Sequence, residues 1–318
     1  MIFSVITVNF NGGKEAADAL ASCISEGVLP ENCVVVDNGS SDNSIQHLER
    51  NLPGVCIMAN SCNAGFAKAV NQGLRAVGGD AVLILNNDAR LLPGALEAFQ
   101  RAMDAWPGAV LLGARLVDTL GRPQNAVAPL PGIWQEILPR SLMKRILPHY
   151  FGGRMIGVDK ITVVPTVIGA AMVVRKSLLE LLGYLDENFF FYLEETEWCA
   201  RAHRMGLQVL FCPDARVEHR LGGTANRFHA AARIEFQRSR LLYAKKFEGR
   251  YSHTALVLWY FLKAGMDFLS NAVLFLLTLG LAPKVRARAR SYGVLWLWHL
   301  FLRPKTWGLP GKCQKWPS

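Results

Sequence analysis

The chain has 318 residues, 51% of them hydrophobic and 19% charged, with a formal net charge of +10. That is enough apolar material for a sizeable core, which excludes disordered and collagen-like classes and allows one large α/β domain with an appendage. The charge is uneven: residues 220–318 hold 17 Lys and Arg against 3 Asp and Glu, a local +14, while residues 1–219 carry −4. Such asymmetry points to an anionic partner for the tail, a nucleic acid or a membrane surface.

Residues 2–8 form a nearly unbroken β-branched apolar run, as expected of a strand buried on both faces. It follows Met1 with no basic leader, so no secretory signal is expected. A helix is predicted over 14–25 and a strand over 33–37; the turn Asn38-Gly39-Ser40-Ser41-Asp42 then supplies N-cap residues for a helix over 42–50. A strand over 55–59, a helix over 66–77 and a strand over 81–85 follow, and Pro93 suits the first turn of a helix that runs to Trp106. Strand and helix alternating at this spacing mean right-handed crossovers and a mainly parallel α/β sheet with helices on both faces.

Past Trp106 the pattern loosens. A strand is predicted over 110–116, a Pro/Gly-rich loop over 121–132, and two strand-like halves within 162–174 around Pro165 and Gly169. A helix over 195–205 is stopped by Gly206, which takes the left-handed C′ position, and a last strand covers 208–211 before Pro213. Seven scattered cysteines with no CxxC pair read as reduced thiols of a cytosolic compartment, neither a disulfide framework nor a zinc site.

The tail differs in kind. Segments 254–262 and 268–283 carry no charge, and Lys263 and Asp267 lie between them one helical turn apart. The longer segment falls short of the roughly 20 residues that cross a bilayer. A basic run over 284–290 follows, then 292–302 with Trp296 and Trp298. Apolar segments interleaved with Lys, Arg and Trp favour helices lying in a membrane interface. A tilted span that hides the Lys263/Asp267 pair, and a soluble helical domain packed on the core, are the alternatives.

In doubly wound sheets, ligands bind beyond the carboxyl ends of the strands. Those ends carry Thr7 and Asn9, Asp37, Asn63, and Asn86-Asn87-Asp88. Asp37 alone would equally well start a turn; the coincidence of four polar strand ends is what implies a nucleotide crevice. No GxGxxG and no GxxxxGK[ST] is present, so a phosphate-bearing ligand needs another device, and a divalent metal is the natural one. Asp88, ending an apolar strand, is placed to hold Mg²⁺ or Mn²⁺ against a diphosphate. His219 either adds a second ligand or diphosphate contact, or is a structural histidine. Glu194, Glu195 and Glu197 open a helix after the aromatic run Phe189-Phe190-Phe191-Tyr192. A helix dipole accounts for one or two of these acids, and the apolar walls suit a general base with tuned proton affinity.

Taken in order, Val-Ile-Thr-Val-Asn-Phe-Asn-Gly (5–12), Val-Val-Asp-Asn-Gly-Ser-Ser-Asp (35–42), Asn-Ala-Gly-Phe-Ala (63–67), Leu-Asn-Asn-Asp (85–88), Gly-Ala-Ala-Met (169–172) and Phe-Phe-Phe-Tyr-Leu-Glu-Glu-Thr-Glu-Trp-Cys (189–199) form an ordered set. The set resembles the family 2 inverting glycosyltransferases of the GT-A fold, the bacterial rhamnosyltransferase branch above all. The resemblance runs over about 2–222 and takes in His219 and Gly222-Gly223. It implies that Thr7, Asn9 and Asp37 hold the base and ribose, that Asn63 and Lys68 sit near the donor with Asn86 and Asn87, that Asp88 and His219 serve the metal and diphosphate, and that Glu195 is the catalytic base. Asn86 stands where many members have Asp, and Glu195 where the base is often Asp.

The expected activity is transfer of a sugar from a nucleotide-sugar, dTDP-rhamnose first and UDP-hexoses next, to a glycan or lipid-linked acceptor in O-antigen or cell-wall polysaccharide assembly. The expected setting is the cytoplasmic face of the membrane, with Mg²⁺ or Mn²⁺ and no nucleic acid. A polyprenyl-phosphate glycosyltransferase, a non-catalytic scaffold and a nucleic-acid-binding protein are the rival readings. The expected division is a nucleotide-sugar half over 1–105, an acceptor half over 106–250 and a membrane-associating region over 251–318.

Overall fold

The computed structural model describes residues 1–146, 155–220 and 229–313. The chain divides into two units: Met1–Leu130 with Met143–Phe190 and Glu194–Leu221, and Pro131–Leu142 with Phe191–Leu193 and Gly222–Ser318.

The first unit is built on strands β1 (Phe3–Asn9), β2 (Cys33–Asp37), β3 (Cys56–Ala59), β4 (Ala81–Leu85), β5 (Ala89–Leu91), β6 (Ala109–Val117), β8 (Thr162–Val163), β10 (Ala171–Arg175) and β11 (Gln208–His219). Their order is β3-β2-β1-β4-β10-β6-β11-β5, with β8 paired to β11. β7 (Val127–Ala128) and β9 (Thr166–Val167) form a separate two-stranded sheet. β1, β2, β3 and β4 run parallel; β1, β2 and β4 are apolar runs buried on both faces, whereas β3 at the sheet edge is half-exposed. β10 enters antiparallel between β4 and β6, so the complete sheet is mixed.

Helices α1 (Glu15–Ser25), α2 (Ser44–Asn51), α3 (Phe66–Ala76) and α4 (Ala95–Ala105) are the expected crossovers. α3 lies close on the sheet because position 73 is glycine: a Cβ there would stand 2.7 Å from Ile6 Cγ2. α5 (Ile133–Ile137) and α6 (Arg140–Ile146) follow, then α7 (Lys176–Leu182) and α8 (Glu194–Arg204), which ends as expected with Gly206 at φ +73°.

One predicted boundary is corrected. β11 does not stop at Pro213 but continues to His219, because a register shift between Cys212 and Arg216 lets a bulge absorb the proline. Cys23, Cys33, Cys56, Cys199 and Cys212 are free thiols.

The second unit carries α9 (His229–Tyr243), a π-helical turn over Ala244–Glu248, α10 (Gly249–Leu277) and α11 (Pro283–Leu300). The two apolar tail segments are one helix, and Lys263 Nζ stands 3.0 Å from Asp267 Oδ2 across the turn between them. α10 and α11 interlock through aromatics over small residues: Gly265 faces Trp296, Gly293 faces Phe268, and the two rings stack at 5.6 Å. Leu256, Tyr260 and Ala264 are buried on one face of α10. Leu258, Leu262, Met266, Leu269, Val273 and Leu276 recur at three- and four-residue spacing on the opposite face, and all are exposed. Among the described residues one helix, the continuous run Ala230–Leu277, is long and apolar enough to cross a membrane by length and composition.

Candidate active site

The carboxyl end of β1 is tied to that of β2 by side chains. Asn9 Nδ2 donates to Asp37 Oδ1 at 2.8 Å and to Ser40 Oγ at 3.2 Å, and the Ser40 hydroxyl donates to Asp37 at 2.6 Å. Asn87 Nδ2 reaches Asn9 Oδ1 at 3.3 Å, which brings the β4 end into the same cluster. Gly12 makes this possible, since a Cβ there would stand 2.4 Å from Asn87 Nδ2 and 2.5 Å from Asn9 Oδ1. Thr7 is fully enclosed on β1 and its hydroxyl has no hydrogen-bond partner.

Beyond β2 and β3 the loop closes on itself. Asn38 Nδ2 donates to Asn63 Oδ1 at 3.2 Å and to Gly65 O at 3.1 Å, and Asn38 Oδ1 accepts from Asn60 Nδ2 at 3.0 Å. Asn63 therefore shapes the entry to α3, on whose first turn Lys68 stands half-buried.

Asp88 and His219 meet for a topological reason. β5 begins at Ala89 and pairs antiparallel with the end of β11, which sets His219 opposite Ala89, and Arg220 N–H donates to Asp88 O at 2.9 Å. Asp88 Oδ1 then lies 3.4 Å from His219 Nε2. Burial, and then the Asp88 carboxylate, hold the Glu15 carboxyl above its ordinary pKa, against the opposing pull of Arg220 and Arg90. Among the described residues no group of three or more His, Cys, Asp and Glu forms a ready-made metal site. A carboxylate and an imidazole held together still fit a divalent ion whose remaining ligands are phosphate oxygens and water.

Glu195 joins this end of the sheet through β10. Asn86 N–H donates to Ala170 O at 2.9 Å, and the neighbouring Gly169 lies against the Glu195 side chain. The Phe66 N–H donates to Phe190 O at 2.8 Å, so the start of α3 adjoins the aromatic run before the acids.

Residues 4–182 match the model of a family described as glycosyl transferase family 2. The chain belongs to that family. Two relatives of this glycosyltransferase are rhamnosyltransferases by name. The N-acetylglucosaminyl-diphospho-decaprenol L-rhamnosyltransferase of Mycobacterium tuberculosis is 25% identical over 235 residues, 69% of this chain and 76% of that protein. The dTDP-rhamnosyl transferase RfbF of Shigella flexneri is 26% identical over 226 residues, 70% and 69% of the two chains. The mannosyltransferase PcManGT of Pyrobaculum calidifontis, solved with GDP-Man and Mn²⁺, superposes with a TM-score of 0.57 at 16% identity over 95% of this chain and 88% of that one. S. aureus TarS 1–349 gives 0.51 at 20% identity over 77% of this chain but 64%, under two thirds, of its own length. These likenesses show the fold, a GT-A glycosyltransferase sheet flanked by helices.

The three acids of the transferase's α8 have separate fates. Glu197 is engaged by Arg201, whose Nε and Nη2 donate to its two oxygens at 3.1 and 2.8 Å. Glu194 is buried with its Oε2 lacking a partner, and Glu195 is half-buried. Tyr192 and Leu193, just before them, both take left-handed backbone at φ +72° and +64°. Two consecutive non-glycine residues there cost about 1–3 kcal/mol each, strain of the kind found at functional sites.

Burial first, and then the Glu195 charge, push the Glu194 carboxyl well above the ordinary carboxylate range; burial also raises Glu195. A raised folded pKa means that the folded state keeps a proton the unfolded chain has already released. Stability is therefore lost as pH rises from about 4.5 towards the folded value. Glu194→Gln is expected to stabilise the protein near neutral pH by about 1–3 kcal/mol, with an advantage that shrinks towards pH 4. Melting temperatures of both proteins from pH 4 to 8 check this; a difference independent of pH would remove the buried-carboxyl explanation.

Several side chains of this site carried no signal as members of it. Asn38 and Ser40 lie inside a turn motif and Glu15 on a helix. Gly222 and Gly223, part of the resemblance, lie outside the described residues.

Proposed function

We propose that this family 2 glycosyltransferase moves one sugar from a nucleotide-activated donor to an acceptor hydroxyl, with inversion, on a lipid-linked or cell-surface polysaccharide precursor. The observation that carries the reading is the convergence at the β4 end: Asp88 beside His219, and Asn86 bonded to the neighbour of Gly169, on which Glu195 rests. Rhamnose from dTDP-rhamnose is the proposed donor, supported by the names of the two relatives, with UDP-hexoses next. A lipid diphosphate acceptor draws support from the name of the mycobacterial relative.

In the proposed reaction Thr7, Asn9 and Asp37 hold the base and ribose, and Asn63, Lys68, Asn86 and Asn87 line the donor. Glu195 takes the proton of the acceptor hydroxyl as that oxygen bonds to the anomeric carbon. The bond from that carbon to the diphosphate breaks on the opposite face, and its electron pair leaves with the nucleoside diphosphate. One displacement inverts the centre. Asp88 and His219 would hold Mg²⁺ or Mn²⁺, which when bound neutralises charge developing on the leaving diphosphate. Asn86 brings hydrogen bonding but no charge, which leaves Asp88 as the anionic ligand.

The proposed organisation is a donor half over 1–105, an acceptor half over 106–250 and a tail over 251–318 that lies on the cytoplasmic membrane face. The exposed apolar face of α10, and Lys284, Arg286, Arg288 and Arg290 on α11, support peripheral attachment to anionic lipid.

A thermal-shift and hydrolysis screen of nucleotide sugars, with and without Mg²⁺ or Mn²⁺, tests the reading on wild type and Asp88→Ala. One donor is expected to stabilise and be consumed only with metal, and Asp88→Ala is expected to lose both responses. Silence of the wild type to every donor and metal would sink the proposal in favour of a scaffold.

A further inference from the structure

We infer that Gln124 positions His219 for a divalent cation shared with Asp88, an inference that rests on the metal role proposed above and adds a residue to it. Gln124 follows β6, where its backbone N–H donates to Leu116 O at 2.9 Å, and its side chain is buried. That side chain meets one residue twice. Nε2 donates to His219 O at 2.7 Å, and Oε1 stands 3.2 Å from His219 Nδ1.

The first contact settles the second. A backbone carbonyl only accepts, so the amide atom beside it is the NH₂ group and Oε1 must be the atom facing the ring. An amide oxygen also only accepts, so Nδ1 carries the hydrogen. The neutral ring then has its lone pair on Nε2, and Nε2 points at Asp88 Oδ1 from 3.4 Å. That separation exceeds a good N–H···O bond. It leaves an imidazole lone pair and a carboxylate facing each other, an arrangement that repels when empty and binds a cation between two donors. Metal-ligating histidines almost always give their other N–H to a fixed acceptor, which sets ring and tautomer together. Here the acceptor is a buried amide anchored on the histidine's own carbonyl.

Two measurements test it, neither using turnover. In ¹⁵N-labelled, metal-free wild type, with the signal assigned through His219→Asn, His219 is expected to be the Nδ1–H tautomer; an Nε2–H tautomer would overturn the inference. Mn²⁺ titration without donor is expected to show Gln124→Leu binding about 10–100-fold more weakly than wild type. Wild-type affinity in Gln124→Leu, with loss in His219→Ala, would overturn the role of Gln124 alone. A wild type that binds no Mn²⁺ would overturn the metal role of Asp88 and His219 and the inference with it. Should Gln124→Leu fail to fold, the tautomer of the wild-type ring decides.

Discussion

Glu195→Gln is expected to lower kcat by about 10²–10⁴-fold, the usual worth of a positioned general base, while donor binding stays near wild type. The substitution is nearly isosteric, and the side chain packs on Gly169 through carbons that both residues share, so lost packing does not explain such a loss. What disappears is the carboxylate that accepts the proton. Because burial raises the Glu195 pKa, the wild type is expected to gain activity with pH along an acid limb that lies above the ordinary value of 4.5. Steady-state kinetics across pH, alongside donor thermal shifts, separate the two effects. Turnover of Glu195→Gln within about tenfold of wild type would move the base elsewhere, first to Glu194.

Much of the first unit is legible because each strand is marked twice, by an apolar run and by polar residues where that run ends. β2 and β4 have the predicted bounds, since a strand buried on both faces must be apolar throughout and can stop only where polarity returns. Pro213 looks like a stop for β11; only pairing with β6 and β5 reveals the bulge that carries the strand on to His219. The tail looks like two segments for a similar reason. Lys263 and Asp267 interrupt an apolar pattern, yet at four-residue spacing on a helix they neutralise each other, and α10 continues.

The candidate site shows the same division. Asn9, Asp37, Asp88 and Glu195 stand at element ends, where sequence patterning points. Their partners do not. Nothing in the intervening sequence tells that Gln124 faces a histidine 95 positions later, because that contact depends on β6 and β11 lying side by side. The acid cluster is divided by the fold: Glu197 looks like its neighbours in sequence, but Arg201 one turn on takes both its oxygens.

Replacing Lys284, Arg286, Arg288 and Arg290 by glutamine is expected to weaken binding to anionic vesicles by about 10²–10³-fold. All four side chains are exposed on α11 and no acid lies among them, so none is neutralised locally. Each basic residue near an anionic surface is worth roughly 1 kcal/mol, and about 1.4 kcal/mol is tenfold, so four reach close to three decades when all approach the lipid. The apolar face of α10 makes a separable contribution. Burying part of Leu262, Leu269 and Val273 among acyl chains stabilises through removed apolar area, which salt does not screen. Wild-type binding should therefore fall with ionic strength to a floor, the glutamine variant should sit near that floor at every salt concentration, and Leu262→Glu with Leu269→Glu should lower the floor itself. Vesicle sedimentation at 0.05 and 0.5 M salt distinguishes these cases. Equal sedimentation of all variants would remove the tail from any role at the membrane.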